Sequence, residues 1–155
     1  MYTYTMEAIL FIGIQAVGKS TFYKERFFAT HVRINLDMLK TRQREQLILQ
    51  ACIAARQPFV VDNTNTQRGD RTRYIEAAKP AGFRTVGYYF QSSLKDALQR
   101  NSQRTGKAYI PAKGVLRMYQ RLEIPSYSEG FDQLYVVTID PQTSQFLVRE
   151  WGDEV

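Results

Sequence analysis

The chain alternates short, wholly apolar runs with longer amphipathic ones. Ala8-Ile-Leu-Phe-Ile12 has no polar position and stops at Gly13, and Phe59-Val-Val61 ends at the polar cluster Asp62-Asn-Thr-Asn65. Runs without polar alternation belong to strands covered on both faces, as in the middle of a parallel sheet. Arg84 to Phe90 and Leu134 to Ile139 read as further strands, Val32 to Asn35 as a shorter one, and Phe146-Leu-Val148 as an edge strand.

Helical spacing fills the intervals. Lys19 to Phe28 turns Phe22, Phe27 and Phe28 toward a sheet and Lys24 and Glu25 toward water. One long helix is predicted from about Met38 to Arg56, with Leu39, Leu47, Ile48, Ala51, Cys52 and Ala55 apolar and Pro58 as its stop. Others span Gln67 to Lys79, ended by Pro80-Ala-Gly82, then Leu94 to Arg104 and Val115 to Leu122, with a loop over Thr105 to Pro111.

Strands that alternate with helices need crossover connections, which makes the sheet parallel. The expected class is therefore α/β, a three-layer α/β/α arrangement around a mostly parallel central sheet, with residues 1–155 as one domain. Repeats, low-complexity tracts and shifts of composition that would mark a linker are missing from the sequence. Ligands of such sheets bind at the C-terminal edge of the strands. Gly13, the residues after Asn35 and those after Val61 are all placed there.

Charge and rare residues narrow the chemistry. Lys and Arg outnumber Asp and Glu by 21 to 15, a formal charge of +6, which favours anionic partners. A single cysteine, Cys52, and a single histidine, His31, exclude an internal disulfide, a cysteine-rich zinc site and most histidine-based metal or triad schemes. No apolar run reaches the roughly 18 residues of a membrane span. Met1 to Leu10 lacks a basic stretch leading into an apolar one, so a reducing cytoplasm without membrane attachment is expected.

Gly13-Ile-Gln-Ala-Val-Gly18-Lys19-Ser20 matches GxxxxGK[ST] and lies between a predicted strand and a predicted helix, the context that gives the motif its meaning. Glycines let the backbone bend closely around phosphates. The amides of Gln15, Ala16, Val17 and Gly18 then point inward, and the helix that begins there aims its positive end at the same anion. Lys19 reaches the β and γ phosphates, the Ser20 hydroxyl is placed to ligate Mg²⁺, and Thr21 lies one step along the helix. The alternative, a plain glycine turn, leaves the flanking strand and helix unexplained. These residues predict a P-loop NTPase fold with ATP or another nucleoside triphosphate and Mg²⁺ as cofactors.

Other residues at the ligand edge admit two readings. Asp37 can accept a proton from a hydroxyl approaching the γ phosphate, or can merely cap the helix beginning at Met38. Asp62 can hold Mg²⁺ through water while Asn63, Thr64 and Asn65 orient loops, although turns favour the same residues. Arg100 and Arg104 share one helix face near Lys107 and either close over the triphosphate or form a solvated basic face. Arg68, Arg71 and Arg73 open a helix, where cations oppose the dipole, and an anionic substrate is one reason for them.

The chain resembles the kinase domain of 5′-polynucleotide kinases from about Ile9 to Tyr135. The resemblance rests on Gly13 to Thr21, Asn35-Leu-Asp37, Val61-Asp-Asn-Thr-Asn65 with Arg71-Thr-Arg-Tyr74, and Leu98-Gln-Arg-Asn-Ser-Gln-Arg104 leading to Ile110-Pro111. It implies Asp37 as general base for the 5′ hydroxyl, Lys19 and Ser20 as nucleotide and metal contacts, and Arg104 as a lid arginine over the donor phosphates. It also implies Asp62 at the metal, and Lys40, Asn65 and Arg71 on the substrate side. Leu36 replaces the arginine usual between Asn and Asp, and Lys40 stands where the phage enzyme has an arginine near the acceptor phosphate. The family's kinase is often fused to a phosphatase, yet no DxDGT-like motif occurs, so a stand-alone kinase is expected.

The leading expectation is transfer of the ATP γ-phosphoryl group to the 5′ hydroxyl of DNA or RNA. Two others stay open: a P-loop kinase acting on a small-molecule or nucleotide-sugar hydroxyl, and a nucleotide-binding module without transferase activity. Tyr74, Tyr109 and Tyr119 among the arginines weigh toward a nucleic-acid acceptor through stacking.

Overall fold

The structure, a computed structural model, describes residues 6–106 and 110–152. Lys107 and Tyr109 lie outside the described residues. Six strands form one sheet: β1 (Glu7–Ile12), β2 (Val32–Ile34), β3 (Phe59–Val61), β4 (Arg84–Phe90), β5 (Gln133–Ile139) and β6 (Phe146–Glu150). Their order is β2-β3-β1-β4-β5-β6, parallel except for the antiparallel β6 at the edge. Leu10 of β1 lies between Val61 of β3 and Gly87 of β4. Next to β1 the chain order reverses, and loops on its two sides diverge to leave a crevice there.

The unbroken apolar strands are explained by a core on each face. Ala8, Leu10 and Ile12 of β1 pack with Leu49, Cys52, Tyr74 and Ile75. Ile9 and Phe11 pack on the other face with Phe22, Phe27, Ala97 and Val115. The period of two along β1 thus feeds both layers. Helices α3 (Arg42–Ala55) and α4 (Arg68–Ala78) cover the first face; α1 (Lys19–Arg26), α5 (Leu94–Ser102) and α6 (Ala112–Arg121) cover the second. No helix of the described residues is long and apolar enough to cross a membrane.

Three expectations of local structure are corrected. The helix predicted from Met38 to Arg56 is two, a single turn α2 (Leu36–Leu39) and then α3, broken where Lys40 takes φ 74°. Each piece has its own cap: Asn35 Oδ1 accepts from the Met38 amide at 2.9 Å, and Thr41 Oγ1 from the Arg44 amide at 3.1 Å. Side-chain oxygens that satisfy first-turn amides start a new helix even where the apolar spacing runs on. Within α3 the buried positions are Glu45, Leu49 and Cys52, whereas Leu47 and Ile48 face outward. Phe28, assigned to the sheet side, lies beyond the end of α1 and is 74% exposed.

Candidate active site

The loop from Gly13 to Gly18 is held by tertiary contacts as well as by its own sequence. The Gly13 amide donates to the Thr64 carbonyl at 2.9 Å, tying the loop to the segment after β3. A Cβ on Gly13 would stand 3.0 Å from Phe90 Cβ and 3.2 Å from the Phe90 carbonyl oxygen, so only glycine fits without displacing β4. Gly18 has φ 89° and Ala16 φ 65°, left-handed conformations that turn successive amides toward one point. Gly18 caps α1 without a side-chain hydrogen bond, and the first turn of α1 has no acidic residue. The positive end of this helix is left for an external anion.

Lys19 is the charge at the centre of this loop. Its Nζ donates to the carbonyls of Gly13 at 2.9 Å and Ile14 at 2.7 Å. Burial, above all, lowers its pKa from the ordinary 10.5 to about 8; Arg104 adds to the lowering, while Asp62 and Asp37 oppose it. A cation held in this way gains electrostatically when an anion enters.

Ser20 and Asp62 meet across the sheet edge, with Ser20 Oγ donating to Asp62 Oδ2 at 3.1 Å. The carboxylate is buried, and Arg33 of β2 donates to the same Oδ2 from Nε at 2.8 Å. The described residues contain no group of three His, Cys, Asp or Glu side chains able to hold a metal, so one entering here would have Ser20 and Asp62 as a partial set of ligands. Magnesium keeps several non-protein ligands, so phosphate oxygens and water would complete its shell.

Asp37 sits in the first turn of α2, and the capping role open to it belongs to Asn35. Asn35 also donates from Nδ2 to the Asp62 carbonyl at 2.6 Å, joining the two edges of the cleft. The Leu36 amide is taken by Asn63 Oδ1 at 2.8 Å. Asn63 Nδ2 in turn donates to Glu45 Oε2 at 3.1 Å, and Glu45 Oε1 accepts from Tyr74 at 2.8 Å and Arg42 at 2.9 Å. Burial, reinforced by Glu45, pushes the Tyr74 hydroxyl up to about 12, keeping it a donor. This network fixes the turn that carries Asp37 while its exposed carboxylate makes no hydrogen bond among the described residues.

Two hollows meet at these groups. One, of about 320 Å³, is lined by Lys19, Ser20, Asp37, Asp62 and Arg104 together with Arg33, Arg42, Asn63 and Asn65. The other, of about 280 Å³, lies over Gln15 to Thr21 and is closed by Arg100 and Arg104. Gln15, Lys19, Ser20 and Arg104 border both. Arg104 follows α5, and within α5 the Asn101 amide group exchanges hydrogen bonds with the backbone of Ile110. Among the described residues, Arg104 Nη1 is the only buried side-chain nitrogen or oxygen without a partner. An unsatisfied buried guanidinium nitrogen, an uncapped helix start and a compressed lysine in one place fit a polyphosphate.

Three residues expected at the substrate are placed otherwise. Arg71 is fully buried: Nε donates to Glu129 Oε1 at 2.7 Å, Nη2 to Glu129 Oε2 at 3.1 Å, and Nη1 to the Asn65 and Glu123 carbonyls. It fastens the 123–129 segment to α4, and Arg68 reaches Ser128 in the same way, so a local need for cations is met inside the chain. Asn65 lines the cleft, but its Nδ2 donates to the Phe11 carbonyl at 2.9 Å, which makes it a strut between β1 and the loop. Lys40 is exposed and outside the cleft; the cation on that side is Arg42, half exposed and anchored by Glu45. Arg33, Arg42 and Asn101 escaped the sequence reading. The one signal for Arg33 was an arginine inside a strand that ends at the ligand edge.

Comparison with known proteins places this geometry. The chain is 26% identical over 132 residues to the bifunctional polynucleotide phosphatase/kinase of Schizosaccharomyces pombe, covering 81% of this chain and 32% of the relative. It is 26% identical over 152 residues to the L-seryl-tRNA(Sec) kinase of Methanococcus maripaludis, covering 85% and 58%. The chain therefore spans between a third and three fifths of the curated relatives it matches. A gluconokinase structure from Sinorhizobium meliloti 1021 superposes with TM-score 0.60 at 21% identity, over 85% of this chain and 82% of that one, and shares the fold. The family model described as the AAA domain matches residues 9–125, well over half of the sequence, and the chain, with its P-loop NTPase fold, belongs to that family.

Proposed function

We propose that this protein transfers the γ-phosphoryl group of ATP to a hydroxyl, and that the acceptor is the 5′-hydroxyl end of DNA or RNA. The observation that carries the transfer is the shared cleft: Asp37, without a hydrogen bond among the described residues, opens onto the hollow that also holds Lys19, Ser20 and Arg104. Phosphoryl transfer needs positioning and charge stabilisation more than covalent chemistry. Lys19 and the loop amides bind the β and γ phosphates, with Arg104 stabilising charge on the transferred group. Asp37 accepts the proton of the attacking hydroxyl, and the Asn63–Glu45–Tyr74 network keeps the turn that carries Asp37 from moving. Ser20 and Asp62 would hold Mg²⁺, which would supply positive charge against the phosphates.

The acceptor is argued from charge and from the relatives. Both curated relatives are named for nucleic-acid substrates, a polynucleotide and a tRNA. Arg33 and Arg42 border the hollow, and the chain carries a charge of +6. A metabolite hydroxyl is the second reading, favoured by Leu36, which brings an apolar side chain to the acceptor wall.

Radiolabelled ATP offered with 5′-OH oligonucleotides, tRNA and a panel of sugars and nucleotide-sugars separates them. Label on oligonucleotide ends supports the proposal, and label only on metabolites selects the second reading. Asp37→Ala should lower transfer at least about 100-fold and leave stability within about 0.5 kcal/mol, as befits an exposed side chain. Nucleotide bound without turnover on any acceptor would leave a binding module and refute both.

A further inference from the structure

The pair assigned above to Mg²⁺ already carries a positive group of the chain. Arg33 Nε donates to Asp62 Oδ2 at 2.8 Å, and Arg33 Nη2 to Ser20 Oγ at 3.0 Å, while Ser20 donates to Asp62. The Arg33 side chain is 26% exposed, against 2% for Asp62. Its guanidinium carbon lies 5.9 Å from the centre of the Tyr23 ring in this paired position.

A buried carboxylate needs a counter-charge, and Arg33 supplies it. A second cation on the same two oxygens would stand directly against the charge of Arg33. A divalent metal bonds oxygen at roughly 2.0–2.1 Å, which would set it beside the guanidinium with both charges on one hydroxyl. One must leave, and the partly exposed arginine on a three-residue edge strand is the group free to move.

We propose that Arg33 is an exchangeable internal cation: it keeps Asp62 and Ser20 paired and oriented, and competes with the divalent metal for both. Arg33 thereby sets the metal concentration at which nucleotide binds and favours a metal that arrives with its phosphates. The proposal rests on the reading of Ser20 and Asp62 as the metal pair.

The test is equilibrium binding of a fluorescent, non-hydrolysable ATP analogue to the whole chain during a Mg²⁺ titration. Arg33→Met should lower the half-saturating Mg²⁺ by about 10-fold, the worth of one charged hydrogen bond. Arg33→Lys, which keeps charge but loses the two-pronged contact, should fall between and serves if Arg33→Met does not fold. In EDTA, Arg33→Met should melt below wild type, and saturating Mg²⁺ with the analogue should close that gap. An unchanged or raised Mg²⁺ requirement in both variants, or a melting gap indifferent to metal, overturns the exchange. Asp62→Asn separates the two levels. If it raises the Mg²⁺ requirement while the Arg33 variants do not change it, only the exchange fails; if it has no effect, the metal-pair reading fails and the exchange with it.

Discussion

Replacing Lys19 with methionine should leave the protein about as stable at pH 7 and unable to bind nucleotide. The ammonium is nearly enclosed, and its pKa falls from 10.5 to about 8 mainly through burial. At pH 7 the folded chain holds this lysine charged at a cost of about 3 kcal/mol relative to the unfolded chain. Against that stand two hydrogen bonds from the charged ammonium to the Gly13 and Ile14 carbonyls, about 1.5 kcal/mol each. The two nearly cancel, so Lys19→Met should hold its pH 7 stability within about 1 kcal/mol of wild type.

The pH dependence is the sharper test. The folded-state pKa is the lower one, so between about 8 and 10.5 the unfolded chain binds more protons, and wild-type stability rises with pH. Wild type should therefore recover about 2 kcal/mol relative to the variant between pH 7 and pH 9.5. Urea melts of both proteins at several pH values read this directly, because every other titrating group cancels in the difference. A difference that stays constant over that range would refute the electrostatic account of the loop. So would an analogue affinity in Lys19→Met that falls by less than about 100-fold.

Other perturbations separate structural from functional arginines. Arg71→Met strands the buried Glu129 carboxylate and two carbonyls; denaturant unfolding should show a loss of about 3–5 kcal/mol, and lost acceptor affinity at unchanged stability would restore Arg71 to the substrate. Arg104→Ala should cost about 10- to 100-fold in kcat/KM, measured by transfer kinetics, without lowering Tm, because it removes a buried nitrogen that is unpaired among the described residues. Single-stranded oligonucleotide binding should weaken with salt. Arg42→Ala should reduce the slope of log affinity against log salt by about 0.7, whereas Lys40→Ala leaves it unchanged, since Lys40 lies outside the cleft.

Much of this protein can be read along the chain. Apolar runs without alternation marked the interior strands β1 and β3, because a strand covered on both sides has no polar face to show. The motif from Gly13 to Ser20 was legible because a backbone wrapped around phosphates needs glycine where φ is positive, as at Gly18, and that demand is local. The break of the predicted long helix at Lys40 and Thr41 was also written in the caps Asn35 and Thr41, but apolar spacing hid it.

What sequence could not decide was the destination of charged side chains. Arg71, Arg68, Arg42 and Arg33 look alike along the chain, yet one is sealed against Glu129, one ties a loop, one faces the cleft and one lies on Asp62. Likewise the capping reading of Asp37 fell only when Asn35 proved to cap the turn. Glycine placement and strand burial follow from neighbours a few residues away. A guanidinium on a long, flexible stem pairs with whatever carboxylate the fold brings near, here 29 residues away for Arg33 and 58 for Arg71, and only tertiary structure fixes that partner.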